Sequence, residues 1–110
     1  MIFGGFLIVA AAGAAAAQGS PRGNVANGKA LYESTGCYQC HGYVGQGGSA
    51  GPKINPPLPF EPWLLQLRTP RLVMPPYSTV VLTDQQAADI YAYTTTFQAP
   101  PDPSTIRILQ

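Results

Sequence analysis

Cys37-Tyr38-Gln39-Cys40-His41 holds both cysteines and the single histidine of the 110-residue chain. Two thiols three residues apart, followed at once by an imidazole, form the pattern of covalent c-type haem attachment. In that chemistry both thiols add across the haem vinyl groups and the histidine becomes an axial iron ligand. The spacing is what the chemistry requires, because one short helical turn must bring both sulfurs to the ring edge and the imidazole beneath its centre. Three other uses of such a pair fit less well. A thioredoxin-like dithiol needs a βαβ setting, and nothing in the chain alternates strand and helix patterns. A structural zinc site needs four ligands, and this pentapeptide supplies three. A disulfide closing so small a loop removes little entropy from the unfolded chain.

Around this motif the composition is that of one small, loop-rich domain. Ile2 to Ala17 is an unbroken run of apolar, Gly and Ala residues ending in Ala14-Ala15-Ala16-Ala17-Gln18. A bilayer span needs about 20 predominantly apolar residues, so the run fits the apolar core of a secretory signal, with cleavage expected between Ala17 and Gln18. No Lys or Arg precedes it, so either Met1 is internal to a longer leader or residues 1–17 are an uncleaved membrane anchor, with a cleaved signal the first expectation. Export agrees with the motif, since free thiols outside the cytoplasm are exposed to oxidation. Cleavage leaves residues 18–110, a length with limited apolar surface to bury, and a haem would supply much of the missing core. The six Lys/Arg and five Asp/Glu residues all follow the apolar run and form no basic cluster. That balance excludes the concentrated cationic footprint of a nucleic-acid binder. Twelve prolines and twelve glycines point to a chain wrapped around something, not to a long bundle.

The remaining sequence reads as helices separated by turns. Asn24 is an N-cap for a helix to about Ser34, and Gly36 ends it just before a short turn carrying Cys37 to His41. Residues 42–59 are dense in glycine and proline, which argues against regular structure. Pro62 suits the first position of a helix to about Arg68, with Trp63, Leu64 and Leu67 facing inward and Thr69-Pro70 stopping it. Thr83 opens the clearest helix. Thr83 and Gln86 have capping-box spacing, Asp84 suits the N-terminal dipole, and Ala87, Ile90, Tyr91, Thr94 and Phe97 recur at helical intervals. The run Thr94-Thr95-Thr96 weakens its last turn. Residues 100–110, opening Pro100-Pro101-Asp102-Pro103, form a separate proline-rich tail. Apart from Met1, Met74 is the chain's only thioether. It is either a gap-filling core residue or the second axial ligand that a histidine-bound haem iron lacks.

Three or four helices, glycine-rich connections and one N-terminal haem motif over Asn24 to Phe97 resemble the class I monohaem cytochrome c family. The resemblance implies an all-α fold, the small cytochrome c fold, wrapped around one covalent haem c within residues 18–99. It implies that Gly28 and Tyr32 on the first helix cross the last helix at Ile90 and Tyr93. It implies that Pro52, in Gly51-Pro52, packs on His41 with a carbonyl accepting the ring N–H, and that Met74 is the distal axial ligand. The interval from His41 to Met74 is shorter than the family's, so the loop between them must be compact. Trp63, Arg68, Arg71 and Tyr77 match places where family members hydrogen-bond or screen the haem propionates.

The function implied is a one-electron carrier, not an enzyme, periplasmic or otherwise exported. The stretch through Met74-Pro75-Pro76-Tyr77 to Ile90-Tyr91-Ala92-Tyr93 is similar to short cytochromes serving periplasmic dehydrogenases. A dehydrogenase is therefore the expected donor, and another cytochrome or a terminal oxidase the acceptor. Contact with a membrane is expected only if the leader stays uncleaved. A haem-based gas sensor, with a weak or absent sixth ligand, is the alternative. A peroxidase fits less well, because no second histidine is present for distal acid–base work.

Overall fold

The computed structural model describes residues 21–99 and 101–109. The expected leader and its cleavage point lie outside the described residues, as do Pro100 and Gln110 of the tail. The described chain is helical: α1 (Val25–Ser34), α2 (Cys37–His41), α3 (Phe60–Arg68) and α4 (Asp84–Thr94), followed by two short 3-10 turns at Pro103–Thr105 and Arg107–Leu109. Its only β feature is an isolated bridge between Gly48 and Gly51. This is the expected all-α architecture, and none of the described helices is long and apolar enough to cross a membrane.

α1 and α4 form the frame. The Asn24 side chain caps α1 by accepting from the Asn27 N–H. α4 begins with a complete capping box, Thr83 accepting from the Gln86 N–H while the Gln86 side chain accepts from the Thr83 N–H. The two helices cross at Gly28, where a Cβ would overlap the carbonyl of Asp89. Only a residue without a side chain permits that approach. Tyr32, one turn later, fills the flank edge-to-face against Tyr93 and Phe97, each with ring centroids 5.5 Å away. The buried Asp89 side chain locks the crossing from α4. It accepts from the Asn24 N–H (2.8 Å), the Asn27 amide (2.6 Å) and the Gln85 amide (3.0 Å). A carboxylate at the positive end of α1 is also favoured by the helix dipole.

α3 starts two residues before the position that Pro62 suggests. Phe60 is its first residue and Pro59 its N-cap, which places Pro62 third. The ring is still tolerated there, because the first-turn N–H groups have no helical partner to lose. α3 turns Phe60, Trp63 and Leu67 into the core, where they join Tyr32, Leu82, Ala87, Ala88 and Ile90. α4 stops at Thr94, before Phe97. The Thr94, Thr95 and Thr96 hydroxyls each donate to the carbonyl three residues back, at 2.6–2.8 Å. Such local bonds compete with continuation of the helix.

Candidate functional site

Gly36, between α1 and α2, has φ +79°, a left-handed conformation that glycine adopts without steric cost and that redirects the chain into the Cys-x-x-Cys-His turn. At the other end the Tyr32 hydroxyl donates to the Gly42 carbonyl at 2.7 Å. That bond ties α2 to the helix crossing. The two cysteines are not joined in a disulfide. Cys37 lies beside the Thr35 hydroxyl, 3.3 Å from it. Burial pushes its thiol up from the ordinary value, and the hydrogen bond with Thr35 only partly offsets this.

His41 Nδ1 lies 2.8 Å from the Pro52 carbonyl oxygen. A carbonyl only accepts, so Nδ1 carries the proton and Nε2 keeps its lone pair. An imidazole held this way is oriented and made more basic as a metal ligand. The contact needs residues 51–52 to lie close against α2, and a Cβ on Gly51 would fall 2.9 Å from the Cys40 carbonyl.

These groups line one cavity of about 880 Å3, with Cys37, Cys40, His41, Pro52, Trp63, Arg71, Met74 and Tyr77 in its wall. Its size is towards the upper end of ligand sites, which run from about 300 to 1,000 Å3. Met74 reaches it from the turn after α3, so the short interval from His41 is spanned by the proline-rich segment and α3 alone. Trp63 is packed between Phe60 and Tyr91, with centroids 6.2 and 5.3 Å away. The Tyr77 hydroxyl donates to the Thr35 carbonyl at 3.2 Å. Burial first, then the nearby Cys37 and Cys40, pushes that phenol up.

Arg68 is placed differently from the other expected residues. It is not part of the cavity wall; its guanidinium donates to the Tyr77 and Leu82 carbonyls at 2.7 and 2.8 Å and pairs with Asp84. It holds the segment after Met74 onto α4. The sequence reading missed Lys53, Gln66, Leu72 and Val73, all in the wall. Gln66 follows Trp63 by three residues and shares its helix face, a spacing that was available to be read. The others sit on loops, where no periodicity marks an inward residue.

The lining fits a haem. Lys53 and Arg71 are its charged side chains and it contains no carboxylate, which suits a ligand bearing two propionates. Most of the remaining wall is apolar, as a porphyrin face requires. The fold and the cavity suit a small all-α haem protein, and the family to which the chain belongs makes it a class I monohaem cytochrome c carrying one covalent haem c and working in electron transfer. The chain belongs to the family described as cytochrome c oxidase, cbb3-type, subunit III, whose family model matches residues 23–93. No curated protein and no solved structure gives a significant match.

Proposed function

We propose that this cytochrome is an exported one-electron carrier in which Cys37 and Cys40 hold the haem by thioethers and His41 and Met74 are its axial ligands. The observation that carries the reading is the convergence of all four side chains on one cavity, with His41 already anchored to Pro52. Cys37 and Cys40 would hold the haem by addition of each S–H across a vinyl C=C, sulfur to one carbon and hydrogen to the other, which would need no oxidant. The bound haem supplies a Fe(III)/Fe(II) couple, whose potential a thioether ligand raises.

The protein's residues do the rest. The Pro52 carbonyl keeps His41 Nε2 free to bind metal. Pro75 and Pro76 stiffen the backbone beside Met74, so its sulfur needs little rearrangement when charge changes. Lys53 and Arg71 neutralise propionates, while Trp63, Tyr77, Leu67 and Ile90 exclude water. Arg68 acts on this wall indirectly, by fixing Tyr77.

The donor we infer is a periplasmic dehydrogenase, and the acceptor a downstream cytochrome or terminal oxidase. The family's description as an oxidase subunit supports the acceptor side. The cavity mouth supports brief protein docking, because Leu72 and Val73 beside it are 97% and 92% exposed, and redox encounters bury little area. Anaerobic redox titration of the haem-loaded protein tests the carrier role. A single reversible one-electron wave is expected, with rapid oxygen-dependent reoxidation on adding membranes that contain a c-type oxidase. A reduced protein that such membranes leave untouched would remove the proposed acceptor.

A further inference from the structure

Gln66 is the middle member of a relay that ends on the Met74 sulfur. Its Nε2 donates to Met74 Sδ at 3.8 Å, and its Oε1 accepts from Arg71 Nε at 3.1 Å. The direction of the amide follows from chemistry. A guanidinium only donates, so Oε1 must face Arg71 and the N–H must face the sulfur. Among the described residues no other side chain donates to that sulfur.

We propose that Gln66 is a positioning residue that orients Met74 and tunes the iron through it, with Arg71 setting the direction of the amide. The proposal rests on the reading of Met74 as axial ligand. A methionine side chain has three rotatable bonds, so a sulfur left to itself would sample several directions. The amide selects one. A thioether sulfur has two lone pairs, one for iron and one for the Gln66 N–H. The positive end of that N–H dipole draws electron density from the sulfur and disfavours the ferric charge, raising the reduction potential. Arg71 polarises the amide in the same sense.

The test is the reduction potential of haem-loaded wild type, Gln66→Leu, Gln66→Glu and Arg71→Lys, with the sulfur-to-iron charge-transfer band of the oxidised forms recorded alongside. Gln66→Leu keeps the bulk but not the donor. It is expected to shift the redox equilibrium towards the ferric form by about 2- to 10-fold, the size of one neutral hydrogen bond, where tenfold corresponds to 59 mV for one electron. Gln66→Glu shifts it further, because a carboxylate cannot donate and adds negative charge. Arg71→Lys keeps the charge, loses the Nε donor and falls between wild type and Gln66→Leu. The urea midpoints of the four proteins are expected to agree closely, which a merely structural role for Gln66 would not produce. A wild type that shows the band, with an unchanged potential in Gln66→Leu, overturns the proposal alone. A wild type without the band overturns the ligation reading and the proposal together.

Discussion

At the scale of the residue, the site depends on which atom faces which partner. Pro52 contributes a carbonyl and so dictates the His41 tautomer, leaving the Nε2 lone pair open to the proposed iron. Met74 is the proposed second ligand, and no other thioether lies in the described chain. Met74→Ala is therefore expected to yield a haem protein whose ferrous form binds carbon monoxide at close to one equivalent, with a lower potential than wild type. A carbon monoxide difference spectrum measures this directly. Rare residue types made these cavity positions legible: one histidine, two cysteines and one internal methionine stand out from the rest of the sequence. Gln66 and Lys53 belong to common types, and only the folding of α3 and residues 51–53 onto the same cavity gives them a role.

At the scale of the element, the α1–α4 crossing holds the frame. Gly28→Ala drives a methyl into the Asp89 carbonyl, and overpacking of this kind costs about 1–3 kcal/mol or more. The urea midpoint of the haem-loaded protein is expected to fall accordingly. Thr83→Ala, which removes the α4 cap, is expected to cost about 1 kcal/mol without changing the spectrum. Asp89 gives the crossing an acid limb. Burial raises its pKa, but the bonds from Asn24, Asn27 and Gln85 outweigh this and hold the carboxyl below the ordinary range. A carboxyl depressed on folding adds stability above its unfolded pKa of about 3.9, and that stability is lost as pH falls through the folded value. Unfolding midpoints measured from pH 6 down to pH 2.5 are expected to drop below about pH 4, and to drop less steeply in Asp89→Asn. The caps at Asn24 and Thr83 were legible because capping follows local chemistry at fixed spacings. The ends of α3 and α4 were not. Pro62 is compatible with several first-turn positions, and the threonine run ends α4 through side-chain bonds to the backbone that a helical pattern does not register.

At the scale of the whole molecule, the described helices and loops are arranged around the cavity lined by the Cys-x-x-Cys-His turn. Among the described residues the buried hydrophobics are Tyr32, Phe60, Trp63, Leu67, Leu82, Ala87, Ala88 and Ile90, two of them alanines. Against that modest core stands a cavity of about 880 Å3. A Cys37→Ser/Cys40→Ser variant, unable to form thioethers, is expected to lose near-ultraviolet circular dichroism and to unfold over a broad range of urea. The haem-loaded wild type should unfold in one sharp transition. The helical architecture and the haem were legible because the motif demands a haem and a haem demands enclosure. The closing of residues 42–59 over that cavity was not legible, since it depends on turns whose partners lie far away in sequence. The central claim is a haem held by Cys37 and Cys40 and ligated by His41 and Met74. Its most direct test is the optical spectrum of the matured protein, oxidised and reduced, with and without carbon monoxide. The account predicts a low-spin ferrous spectrum indifferent to carbon monoxide, with a weak sulfur-to-iron charge-transfer band in the oxidised form. Prompt carbon monoxide binding and a high-spin oxidised form would contradict it and favour a gas-binding haem protein.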